Sequence, residues 1–140
     1  MKSRAFWDEF AEVAMQRLVG PNEGDPVLVL ADTRSDLNLA QALMAAGART
    51  GADTQLIIKQ LSKPDEAACP GPILSEAFKA AKYIVSIIDD GIDASEAMLE
   101  AKASGTSILY TEVTGVEDYV VRALLHADIA IDNHQRDPST

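Results

Sequence analysis

Five short apolar runs in this 140-residue chain each end on polar side chains, and those ends hold most of the residues able to do chemistry. Val27–Ala31 runs into Asp32-Thr33-Arg34, Thr54–Ile58 into Lys59-Gln60, and Tyr83–Ile88 into Asp89-Asp90-Gly91. Ser107–Tyr110 runs into Thr111-Glu112, and Asp128–Ile131 into Asp132-Asn133-His134. Runs without polar alternation are expected of strands buried on both faces, as in a parallel sheet. Ligands of open α/β sheets bind outside the carboxyl ends of such strands. Asp32, Asp89, Asp90 and Glu112 therefore form the candidate ligand rim, suited to a cation or a basic peptide.

Three catalytic chemistries fit poorly. A nucleotide or dinucleotide site needs glycines that let the backbone approach phosphates. Asp32-Thr33-Arg34-Ser35-Asp36 has none and offers two repelling carboxylates; no GxxxxGK[ST] motif occurs anywhere. A receiver-type magnesium site would use Asp32, Asp89 and Thr111, since magnesium takes clustered hard oxygens. It would also need an acidic pair directly after the first strand and a lysine after the fifth, where this chain has Thr33-Arg34 and Asp132-Asn133-His134. Two histidines eight residues apart, His126 and His134, match no zinc spacing. The rival reading of Asp32, Asp36, Asp89 and Asp93 is that they cap helices or close turns. No catalytic, cofactor-binding or metal-ligating residue is assigned to the chain.

The elements that would position the rim follow from periodicity. Apolar side chains from Phe6 to Leu18 recur at spacings of three and four, which predicts a helix over 3–19 stopped by Gly20-Pro21, with Phe6 and Trp7 as its packing anchor. Ser35 or Asp36 caps a second helix that fades over Gly47–Gly51, and further helices are expected near 73–81, 94–103 and 116–126. Parallel neighbours need crossovers, so this alternation predicts an α/β fold of three layers. It is a doubly wound, mainly parallel five-stranded sheet, Rossmann-like or flavodoxin-like, in the order 2-1-3-4-5 or 3-2-1-4-5, with an extra N-terminal helix. Residues 1–132 read as a single domain, and 133–140 as a polar tail or linker.

The formal charge of −10 and a pI near 4.5 argue against nucleic acid and an anionic membrane as partners. A protein or peptide partner is expected instead, with homo-oligomer formation open. Cys69, alone in a Pro-Gly-rich loop, reads as an inert thiol in a reducing compartment. The start of the chain lacks a signal-peptide pattern, and no apolar run reaches the roughly 20 residues a bilayer requires. A cytoplasmic location is expected.

Four stretches, together with the opening helix, resemble a known domain. They are Asn22-Glu23-Gly24-Asp25-Pro26 leading into Val27-Leu28-Val29-Leu30-Ala31-Asp32, and the small-residue helix end Leu39-Ala40-Gln41-Ala42-Leu43-Met44-Ala45-Ala46-Gly47 with Ala48-Arg49-Thr50-Gly51-Ala52-Asp53-Thr54. The others are Ala77-Phe78-Lys79-Ala80-Ala81-Lys82 before Tyr83-Ile84-Val85-Ser86-Ile87, and Ala103-Ser104-Gly105-Thr106 before Ser107-Ile108-Leu109. The chain resembles the N-terminal domain of the aminopeptidase T family of metallopeptidases and the related 2,5-dihydroxypyridine dioxygenases, over most of residues 6–132. The resemblance implies a non-catalytic domain that helps shape a substrate cleft and assembly, with the divalent metal held in a larger C-terminal domain. No metal ligand of that family transfers to a residue here. The alternative is a stand-alone accessory module that binds a peptide or protein partner without catalysis.

Overall fold

The computed structural model describes residues 4–60, 70–88, 92 and 95–110. Its elements are α1 (Arg4–Val13), continued by a π-helical stretch Ala14–Val19, then β1 (Pro26–Asp32), α2 (Leu37–Arg49), β2 (Asp53–Lys59), α3 (Pro72–Ala80), β3 (Tyr83–Ser86), α4 (Glu96–Ala103) and β4 (Ser107–Tyr110).

The four strands form one parallel sheet in the order β2-β1-β3-β4. This agrees with the first of the two expected orders and rules out the second, because β3 lies against β1 rather than leaving β1 beside a later strand. Against the five strands expected, four are described; the fifth, at 128–131, the helix at 116–126 and the tail lie outside the described residues. β3 also stops at Ser86 rather than 88, although the Ile87 N–H still reaches the Leu30 carbonyl at 3.0 Å.

Helices cover both faces of the sheet. Val27, Val29 and Ala31 of β1 point to one face and pack with Phe6, Trp7, Phe10 and Met15 of the first helix and Leu39, Leu43 and Ala46 of α2. Leu28 and Leu30 point to the other, packing with Leu74 and Phe78 of α3 and Met98 of α4. β1 is therefore buried along both faces, which is why its sequence lacks alternation. β2, at the edge of the described sheet, is only partly covered, and Ile58 is 47% exposed.

Local chemistry sets the element ends. Pro72 starts α3, where its missing N–H costs nothing. Ser95 caps α4 by accepting the Met98 N–H at 3.2 Å. The first helix departs from its expected form. Its last turns widen so that the Gly20 N–H bonds the Met15 carbonyl at 2.9 Å, and Gly20 closes the end with φ 61°. The buried stripe runs through Phe6, Trp7, Phe10, Ala11, Ala14 and Met15. Leu18, expected on that stripe, is 43% exposed, because a π turn rotates the residues after it away from the α-helical phase. Among the described residues no helix is long and apolar enough to cross a membrane.

Candidate functional site

β1, β2, β3 and β4 are parallel, so Asp32, Lys59, Ser86 and Tyr110 all stand at the same end of the sheet. Asp32 is the member of the expected rim that can be placed. Asp89, Asp90 and Glu112 lie outside the described residues, as do Thr111, Asp93, His126, His134 and Cys69.

Asp32 leaves β1 with its side chain folded back into the turn it starts. The residue is 2% exposed. Its Oδ1 accepts the Arg34 N–H at 2.8 Å and the Ser35 hydroxyl at 3.2 Å. The Asp32 N–H donates in return to Ser35 Oγ at 3.0 Å, and the Ser35 N–H to the Asp32 carbonyl at 3.0 Å. A carboxylate with a short side chain can satisfy backbone donors two residues on, and this one does so at a sharp strand-to-helix turn. Its geometry is that of a turn-closing residue.

Asp36, four residues on, joins two helices. Its Oδ1 caps α2 by accepting the N–H groups of Asn38 at 2.9 Å and Leu39 at 3.3 Å. Its Oδ2 accepts the indole N–H of Trp7 at 3.0 Å. Trp7 is 3% exposed and lies edge-on to Phe6 and Phe10, with ring centroids 5.3 and 5.8 Å away. Of the two caps the sequence offered, Asp36 is the one used. Trp7 is the packing anchor expected, and its polar edge is satisfied by that same aspartate.

The described rim is not uniformly acidic. Lys59 is the register partner of Asp32 across β1 and β2, and Arg34 follows Asp32 in its turn. Reasoning from strand ends found Lys59 but gave it no weight, since its pairing with Asp32 depends on the register between β1 and β2. At the end of β3, Ser86 is fully buried and its Oγ accepts the Ile88 N–H at 3.4 Å. The Tyr110 hydroxyl is buried without a hydrogen-bond partner among the described residues, and Lys102 Nζ stands 5.2 Å from its ring centroid. No group of three or more His, Cys, Asp or Glu able to hold a metal ion occurs among the described residues.

Two cavities among the described residues lie away from this rim. A groove of about 230 Å³ runs between β2 and the end of α3, lined by Pro26, Leu28, Asp53, Gln55, Ile57 and Ala81. It falls below the roughly 300 Å³ at which small-molecule pockets begin, and it sits toward the amino ends of the strands. A second, of about 160 Å³, lies against β3 and β4 beside Leu18 and Val19.

No protein-family model matches the chain, and no curated protein does. Solved structures do. The 2,5-dihydroxypyridine dioxygenase of Pseudomonas putida KT2440 superimposes with a TM-score of 0.61 at 22% identity, over 79% of this chain and 35% of its own. AmpT of Thermus thermophilus superimposes with a TM-score of 0.52 at 14% identity, over 89% of this chain and 42% of its own. At these identities the likeness establishes a shared fold. The chain thus spans well under half the length of each of these two proteins.

Proposed function

We propose that this chain is the non-catalytic N-terminal α/β domain of an aminopeptidase T-like, metal-dependent enzyme of the peptidase or ring-cleaving dioxygenase type. In that role it contributes one wall of the substrate cleft and part of the assembly, and works in the cytoplasm. The observation that carries this reading is the pairing of coverages: most of this chain matches, and it matches only 35% and 42% of two larger enzymes. A divalent metal would be held by the further domain. The rest of the proposed layout is the five-stranded, Rossmann-like or flavodoxin-like sheet, with residues 128–131 as the fifth strand.

The alternative accessory module, gripping a basic peptide with an acidic rim, draws less support. Asp32 is buried in its own turn, and Lys59 and Arg34 stand at the same end of the sheet. Both readings are tested by assaying the chain alone and joined to the metal-bearing domain of an aminopeptidase T-type protein. Aminoacyl-nitroanilide hydrolysis and 2,5-dihydroxypyridine loss are followed with added zinc, cobalt or ferrous iron. Turnover is expected only in the joined protein. Metal-dependent turnover by the pure chain, or a joined protein that folds and loads metal yet stays inactive, would overturn the proposal.

A further inference from the structure

The outer edge of β2 has the pattern of a strand built to pair with itself. Seven residues run in unbroken register against β1, from Pro26↔Asp53 to Asp32↔Lys59, and no strand lies on the other side of β2 among the described residues. Exposed edges are usually blunted by a short strand, a bulge, a proline or inward-pointing charge. β2 is longer than a typical strand, has no bulge or proline, and carries charge only at its two ends, Asp53 and Lys59. Between them lie Thr54, Gln55, Leu56, Ile57 and Ile58, with Ile58 47% exposed.

Backbone direction agrees with this reading. The Asp53 N–H bonds the Asp25 carbonyl at 2.9 Å, so Asp53 faces β1. In a parallel ladder alternate residues turn their backbone groups to opposite sides, which leaves Thr54, Leu56 and Ile58 presenting N–H and C=O outward. An antiparallel copy in full overlap places Leu56 opposite Leu56, and Thr54 opposite Ile58, as hydrogen-bonded pairs. It also sets Asp53 opposite Lys59 of the second copy at both ends, as closely spaced non-hydrogen-bonded pairs. The two pairs on the α2 face are then apolar or β-branched, and both charges meet their opposite. A two-fold axis through Leu56 makes the contact self-complementary and closed.

We infer that two copies of this chain pair antiparallel through β2, joining their four-stranded units into one continuous sheet. The inference gives the assembly part of the proposed function a surface and rests on it only there. Its test is read on this chain alone, whereas the cleft is tested only in the joined protein, so the two can fail separately.

The test is a charge swap followed by sedimentation velocity over a wide range of protein concentration. The wild-type chain is expected to show a reversible monomer–dimer equilibrium. Asp53→Lys or Lys59→Asp alone sets like charges opposite each other twice per dimer and should weaken dimerisation about tenfold or more. The double variant Asp53→Lys with Lys59→Asp restores both pairs and should return the dissociation constant to within about threefold of wild type. Ile58→Lys, at an exposed position, should also weaken the dimer, with a circular-dichroism melt confirming that each variant folds. A chain monomeric at every concentration overturns the inference. So does a dimer indifferent to the single reversals, or one weakened by them but not restored by the double swap, since either would place the contact elsewhere.

Discussion

Asp36 offers the sharpest test of how the first helix is held, because each of its oxygens has a separate task. Asp36→Ala removes the cap on the Asn38 and Leu39 N–H groups, a loss of about 0.5–2 kcal/mol. It also strips the hydrogen-bond partner that the Trp7 indole has among the described residues, and the indole is 3% exposed; leaving such a donor unpaired costs about 1–3 kcal/mol. The two terms concern different oxygens and different donors, so they sum to about 1.5–5 kcal/mol. For a chain of this size that is a fall in Tm of roughly 5–20 °C. Asp36→Asn separates the terms. Its remaining oxygen can cap α2, but its amide then faces the indole N–H donor to donor, so about 1–3 kcal/mol should be lost. Trp7→Phe removes the donor from the other side. In a double-mutant cycle, Asp36→Asn and Trp7→Phe should show a coupling of about 0.5–3 kcal/mol. Urea denaturation followed by far-ultraviolet circular dichroism reads all four proteins on one scale. An Asp36→Asn variant as stable as wild type, or a cycle with no coupling, would refute the claim that this bond ties α1 to the start of α2.

Gly47→Ala is expected to destabilise by about 1–3 kcal/mol, since the added methyl would stand 2.6 Å from Thr54 Oγ1 and 2.9 Å from its Cγ2. Thr54→Ala in the same chain should recover most of that loss, as measured by denaturant midpoints. Asp32→Ala should cost about 1–3 kcal/mol by leaving the Arg34 N–H without its acceptor, while Asp32→Asn, which keeps a carbonyl oxygen there, should cost less than about 1 kcal/mol. Equal melting of the two Asp32 variants would show that the turn does not depend on this side chain.

Much of this protein was legible in residue order alone, because much of its structure is locally determined. Unbroken apolar runs separated by helical periodicity specify strands and crossovers, and crossovers specify parallel pairing. Asp36, at the head of α2, acts within a turn of where it stands. Asp32 could be read as a turn-closer for the same reason: its partners are two and three residues away.

What residue order could not settle depends on separations that no local pattern spans. Whether β1 has β3 as its neighbour is decided by how α2 and α3 divide the two faces of the sheet, and both expected orders satisfied the same alternation. The register, within a β1–β2 pairing common to both orders, brings Lys59 beside Asp32 and makes the described rim mixed in charge. The choice of order leaves β2 at an edge of the described sheet, where its central apolar residues are half uncovered. Trp7 and Asp36, 29 residues apart, meet only because α1 lies across the start of α2. The widening of the first helix over Ala14–Val19 is likewise a packing outcome. Phe6, Phe10 and Met15 are buried beneath α2 and β1, and the phase of the residues after them yields to that burial rather than to their own periodicity.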